Sequence, residues 1–252
     1  MAPRLTSTLI CDLDGVVYLG GEEIPGSGEA LARFASCGWK IIFCTNNATR
    51  TPGESADKIH RVTSFPATAE SVVTSAQAVA MLVDPGSSVF VLGGRGLEEA
   101  VLERGSRVSG RWQDVDTVVV GLDPGLTYER LSGAVLAVGN GARFLASNHD
   151  ATYPTPEGLR PGAGAIVAAV SHATGVQPVF AGKPHAPMRK LLVSRTEGEV
   201  WIVGDRDDTD LAMGRAEGWF TAHVATGVSP APTDPMTVSV PNLAALADQL
   251  LE

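Results

Sequence analysis

Two aspartates one residue apart end the first apolar run of this chain, where Thr8-Leu9-Ile10-Cys11 leads into Asp12-Leu13-Asp14-Gly15. Carboxylates that close repel each other unless they share a cation, and parallel sheets collect ligands beyond the carboxyl ends of their strands. The pair is therefore a candidate metal and acid site, with a solvated turn as the plainer alternative. Three other segments carry comparable chemistry. Thr45-Asn46-Asn47 closes a second apolar run with a hydroxyl, an amide and backbone N–H groups suited to phosphate oxygens, or with a simple Asx turn. Lys183 lies in Gly182-Lys183-Pro184, where proline bars it from a helix and aims its stem; an ordinary surface lysine is the alternative. Gly204-Asp205-Arg206-Asp207-Asp208-Thr209-Asp210 follows a Val-Trp-Ile-Val run, and its acids could merely oppose a helix dipole. Each segment has a bland explanation alone. Four of them at strand ends of one sheet point to a single site.

The elements that must position these groups alternate between short apolar runs and helix-length segments, the pattern of a mostly parallel α/β sheet. Strands are expected at 8–11, 40–44, 88–92, 117–121, 143–146, 199–203 and 219–224. Helices are expected at 27–36, from the Thr51-Pro52-Gly53-Glu54 capping box onward, and at 97–103, 128–138, 165–173 and 243–251. The stretch 151–164 is rich in Pro and Gly and is expected to be loop. The motif-poor middle reads as an α/β insert, residues 80–179, in a core made of residues 1–79 and 180–252.

Composition limits the function classes. Of 252 residues, 44% are hydrophobic and 19% charged, enough for a large packed core without staples. The formal charge of −9 argues against a nucleic-acid partner, which needs a concentrated basic face. No apolar run suits a membrane span or a cleaved leader, so a soluble, cytoplasmic protein is expected. The three cysteines form no CxxC pair and are expected as small buried hydrophobes of a reduced compartment.

In this order, DLDGVVYLG, TNNATRTP, GKP and GDRDDTD resemble the four motifs of the haloacid-dehalogenase superfamily, particularly its 4-nitrophenylphosphatase-like and phosphoglycolate-phosphatase-like branch. The segments Ala146-Ser147-Asn148-His149-Asp150 and Pro161-Gly162-Ala163-Gly164-Ala165 resemble that branch's cap and its return to the core. The resemblance covers nearly the whole chain. It implies a Rossmann-like parallel-sheet core with an inserted α/β cap of the C2 type, and a Mg²⁺-dependent phosphatase acting on a small phosphorylated metabolite. Asp12 would be the nucleophile and Asp14 the acid and base. Asp12, the Asp14 carbonyl and Asp205 would hold the metal; Thr45, the Asn46 backbone and Lys183 would bind the phosphoryl oxygens. Asp210 would orient that shell, and Asn148, His149 and Asp150 would form the cap's substrate loop. A phosphotransferase on the same site and a non-catalytic phospholigand-binding protein are the rival functions. Glycerol phosphate, phosphoglycolate, a sugar phosphate, a nucleotide and pyridoxal phosphate all stay open as substrates.

Two positions depart from the pattern. Asp207 stands where the branch usually has an apolar residue and is expected to face solvent, with added metal binding as the alternative. His149 stands where proline is common; an exposed loop histidine and a substrate-facing one are equally open. Gly93-Gly94-Arg95-Gly96 lacks the spacing of a dinucleotide loop and suits a tight strand-to-helix turn, which leaves an NAD-dependent enzyme unsupported. His60, His172, His185 and His223 show no metal-ligand spacing and are expected at the surface or at caps. An apolar cap face would support a homodimer.

Overall fold

The computed structural model describes residues 7–155, 157–227, 230 and 232–251. Its first sheet is all parallel and runs Val238–Val240, Phe220–Val224, Val200–Gly204, Thr8–Cys11, Lys40–Thr45 and Val72–Thr74 from edge to edge. From the central Thr8–Cys11 strand the chain builds outward on one side, then returns to build on the other. The crevice between Thr8–Cys11 and Val200–Gly204 is therefore a topological switch point, where such sheets bind ligands. Asp12 and Asp205 follow directly on these two strands, and the Asp12 N–H donates to the Val203 carbonyl at 3.0 Å.

A second parallel sheet, ordered Val179–Phe180, Arg143–Ala146, Thr117–Val120, Ser88–Leu92 and Arg107–Val108, makes the inserted cap. Its Val179–Phe180 strand straddles the boundary drawn at 179/180 from the sequence. This is the Rossmann-like core with an α/β cap that the resemblance implied. Both sheets are buried on two faces, so their strands read as continuous apolar runs rather than alternating ones. One apolar cluster joins the sheets: Ile10, Ile42 and Ile202 of the core connect through Ala76, Val79 and Leu97 to Val89, Val119 and Leu145 of the cap. Each of these Val, Leu and Ile side chains contributes roughly 1.5–3 kcal/mol when fully buried.

The glycine-rich turn after Ser88–Leu92 serves this joint as well as the turn itself. Gly94 caps the Arg95–Glu103 helix, and the Gly96 N–H donates to the Thr49 carbonyl at 3.2 Å. A Cβ at Gly96 would lie 2.2 Å from the Arg50 carbonyl oxygen, so only glycine lets the cap approach the core there.

Three expectations need correction. Thr152–Thr155 and Gly158–Pro161 form an antiparallel ribbon, and the following helix starts at Ala163, so 151–164 is not loop. Pro154 and Pro161 mislead in the sequence because a two-stranded ribbon has free outer edges, where a missing N–H costs nothing. Cys37 is half-buried, since it caps the Ser27–Ser36 helix, whereas Cys11 and Cys44 are buried as expected. His223 is buried, not superficial, because its strand lies between two others. Among the described residues, no helix is long and apolar enough to cross a membrane.

Candidate active site

The turn after the first strand is drawn tight by the Leu13 carbonyl, which accepts from the N–H groups of Val16, Val17 and Tyr18 at 3.3, 2.9 and 3.2 Å. Gly15 makes this possible at φ +91°, and a Cβ there would sit 2.9 Å from a carboxylate oxygen of Asp205. Asp12 is thereby held in the crevice and is only 7% exposed. Lys183 enters from the other end of the chain, just beyond the Val179–Phe180 strand of the cap sheet and not, as expected, at a strand end of the core sheet. Its Nζ donates to Asp12 Oδ1 at 2.7 Å, to Asp210 Oδ1 at 2.7 Å and to the Cys44 carbonyl at 3.1 Å. At 2% exposure it is a buried ammonium with its three donors used.

The carboxylates of Asp12, Asp205 and Asp210 each place an oxygen within 4.8 Å of the others. An all-oxygen, acidic set of this kind suits a hard divalent cation such as Mg²⁺. Asp210 is already committed on both sides, to Lys183 through Oδ1 and to the Thr209 hydroxyl, which donates to Oδ2 at 3.0 Å. Burial pushes the Asp12 carboxyl above its ordinary value, Lys183 pulls it back, and Asp205 pushes it up again. Burial also raises Asp14, against the pull of Lys58, Arg50 and Lys183. Desolvation drives Asp210 up to about 7, with Asp12 adding to it and Lys183 opposing. The Cys44 thiol, pushed up to about 12 by burial, stays protonated and inert.

Thr45 ends its strand beside this cluster, its hydroxyl oxygen accepting from the Asn47 N–H at 3.0 Å. The Asn46 side chain does something the sequence did not suggest. Its Nδ2 donates to both Asp150 carboxylate oxygens at 3.3 and 3.1 Å, and its Oδ1 accepts from the Lys183 N–H at 2.8 Å. The Asn46 carbonyl accepts from Asn148 Nδ2 at 2.7 Å and from Ser75 Oγ at 2.5 Å. Asn46, Asn148, Asp150 and Lys183 thus form one network pinning the cap loop to the core. His149 stands apart from it, against Phe180 and His185, with His149 Nδ1 at 3.4 Å from His185 Nε2. Asp207 faces outward and pairs with Arg215 at 2.7 Å.

These groups open into a cavity of about 480 Å³, roofed by Thr152, Tyr153 and Pro154 of the ribbon. Arg50, Lys58 and Arg61 line it as well, and sequence reasoning passed over all three. The available signal was the i, i+3 spacing of Lys58 and Arg61 on the helix that the capping box starts.

The Haloacid dehalogenase-like hydrolase family profile matches residues 9–107, and a second, HAD-hydrolase-like profile matches residues 180–251. The acid sugar phosphatase of Staphylococcus aureus is 43% identical over 226 residues, 87% of this chain and 86% of that protein. The crystal structure of a glycerol phosphate phosphatase from Mycobacterium tuberculosis in complex with magnesium has a TM-score of 0.88 at 36% identity, covering 96% of this chain and 77% of that one. A 4-nitrophenylphosphatase from Thermotoga maritima has a TM-score of 0.86 at 29% identity, covering 96% and 97%. With profiles matching at both ends, a relative that close across the cap, and four motifs meeting in one crevice, the chain belongs to the haloacid dehalogenase-like hydrolases.

Proposed function

We propose that this chain is a Mg²⁺-dependent phosphatase that hydrolyses a small phosphomonoester through a phosphorylated Asp12. The observation that carries the reading is the convergence of Asp12, Asp205 and Lys183, from both ends of the chain, within one crevice. The activities of the relatives, an acid sugar phosphatase and a glycerol phosphate phosphatase, support it. Asp12 and Asp205, with the Asp14 main-chain carbonyl, would hold the cation, for which the oxygen donors fit. When bound it would neutralise phosphoryl charge and orient the phosphorus for in-line attack.

An Asp12 carboxylate oxygen attacks phosphorus, and the bond from phosphorus to the alcohol oxygen breaks. The departing alkoxide takes a proton from Asp14, whose raised affinity for that proton suits it to the task. Water then attacks the aspartyl-phosphate, giving its proton to Asp14, and Asp12 is released with inorganic phosphate. Lys183, the Thr45 hydroxyl and the Asn46 backbone N–H hold the phosphoryl oxygens, and Asp210 keeps Lys183 in place. Asn148 and Asp150 brace the cap over the site, excluding water from it. The core and cap, divided near residues 80 and 180, form part of the same reading, as does a cytoplasmic setting, which the inert Cys11 and Cys44 thiols suit. A homodimer through the cap is supported by its exposed Leu126 and Tyr128, and sedimentation velocity tests it.

The purified protein is expected to hydrolyse p-nitrophenyl phosphate only with Mg²⁺ present, and chelation should stop turnover without unfolding the chain. Metal-independent turnover would remove the shared cation from the proposal.

A further inference from the structure

Lys58 lies on the Pro52–Thr63 helix and is only 7% exposed, yet among the described residues its Nζ meets no acid and no carbonyl. It rests 3.5 Å from the centroid of the Tyr18 ring, and among the described residues it has no hydrogen-bond or ion-pair partner. Arg50 and Arg61, both exposed, are likewise without ion pairs among the described residues. All three line the same cavity as Asp12 and Lys183.

This is an unusual use of cations in a chain of net charge −9. Elsewhere Lys40, Arg95, Arg143 and Arg215 each pair with a carboxylate, and the buried Lys183 pairs with two. A buried ammonium is costly to desolvate unless something compensates it. Burial does lower Lys58, to about 8, with Arg50 and Arg61 adding to the push and Asp14 opposing it. The Tyr18 ring offsets this only in part, less than a carboxylate partner would. Three cations lining one cavity, with no acid in contact among the described residues, are what remains when the anion that completes them arrives with the substrate.

The position fixes which part of the substrate that is. Lys58 rests on Tyr18, whose backbone bridges to Asp14, and Asp14 lines the same cavity as Arg50, Lys58 and Arg61, so the cationic wall lies beside Asp14. In the reaction above, Asp14 protonates the leaving oxygen, so the wall lies on the leaving-group side. We propose that Arg50, Lys58 and Arg61 form a subsite for a carboxylate carried by the leaving alcohol, which makes the preferred substrate a short phosphorylated hydroxy acid. This rests on the phosphatase reading and deepens it.

The test compares kcat/KM of the Mg²⁺-loaded, full-length protein for 3-phosphoglycerate and for glycerol 3-phosphate, which differ by a carboxylate in place of a hydroxymethyl group. The wild type should favour the carboxylate by about tenfold or more, the scale of one or two charge-assisted contacts. Lys58→Met and Arg61→Gln should each cut that ratio several-fold, because their effect is confined to one substrate. A wild-type ratio of one or less would overturn the subsite. So would variants that lower both substrates by the same factor, which would make the wall a counter-charge to Asp14 only. Arg61 is exposed, so its variant folds whatever the fate of the Lys58 one. Absence of turnover on p-nitrophenyl phosphate and on both glycerol-based substrates would instead sink the phosphatase reading beneath it.

Discussion

On the cavity floor, Lys183 lies 2.7 Å from both Asp12 and Asp210, with a third donor on a carbonyl, so its charge is answered in full. On the wall of the same cavity, Lys58 faces an aromatic ring, and Arg50 and Arg61 have no ion pair among the described residues. The floor brings together Asp12 at a core strand end, Asp210 in the helical turn Asp207–Leu211 and Lys183 just beyond the Val179–Phe180 strand of the cap sheet. The wall is Lys58 and Arg61 on the capped Pro52–Thr63 helix, with Arg50 just ahead of its N-cap. Groups that must act on every substrate are preorganised by the protein's own charges, which costs nothing at the moment of reaction. Groups that choose between substrates gain by staying uncompensated until the right ligand binds, because specificity is a difference between affinities.

The largest effects are expected at the floor. Asp12→Asn should lower kcat on p-nitrophenyl phosphate by roughly four orders of magnitude or more, the scale for loss of a covalent nucleophile. Retained steady-state turnover in that variant would take Asp12 out of the nucleophilic role. Lys183→Met leaves Asp12 and Asp210 buried with no cation between them, and urea unfolding of the metal-free protein should register a loss of about 3–5 kcal/mol. An unchanged midpoint would mean that the ion pairs of the floor are not coupled to folding.

Proton competition at the floor gives a third expectation. Burial raises Asp12, so the metal-free native state holds a proton that the unfolded chain has already released above its ordinary ~3.9. That burial therefore destabilises the metal-free fold increasingly as pH climbs from that value, and a cation must displace the proton to bind. The rise in Tm produced by Mg²⁺ should accordingly grow between about pH 5 and about pH 7. A rise that shrinks over this range would show the sign to be wrong.

Effects at the wall are smaller. Lys58 is a cation below about 8 and loses its charge as pH passes that value, with Asp14, Arg50 and Arg61 the charged groups facing it. The kcat/KM preference for a carboxylated substrate should fade several-fold above that point, since this ratio reports the free enzyme. A preference flat up to pH 9.5 would assign it to the arginines. Smallest of all, Thr51→Ala removes a capping box in which Thr51 Oγ1 accepts from the Glu54 N–H at 3.1 Å and the Glu54 carboxylate from the Thr51 N–H at 3.0 Å. The cost should be about 1 kcal/mol, a Tm drop of about 2–4 °C by calorimetry.

The contrast also explains what the sequence made legible. Asp12, Thr45 and Asp205 sit where apolar runs of the core sheet stop, and a parallel sheet brings such ends together, so their meeting could be anticipated; Lys183 does not share that sheet as expected, because the Val179–Phe180 strand before it pairs in the cap sheet. The Asn46–Asp150–Lys183 network could not, because it depends on how the cap is seated on the core, which no local pattern encodes. Lys58 and Arg61 look like any polar helix face until the cavity beside them is known. The 152–161 ribbon was hidden by prolines and a glycine that are costly inside a sheet and harmless in a free-standing pair of strands. His223 was missed for a related reason: a single polar residue does not reveal that its strand is covered on both sides.

The central position of the Thr8–Cys11 strand has a consequence for how the chain is made. One neighbour, Lys40–Thr45, leaves the ribosome soon after it; the other, Val200–Gly204, comes some 190 residues later, by the Thr8↔Val200 pairing. For most of vectorial synthesis the nascent core therefore carries an open, apolar strand edge, the kind of surface that invites pairing with another chain. A polypeptide cut short before Glu199 should aggregate even though its cap sheet, complete by Phe180, has every strand it needs.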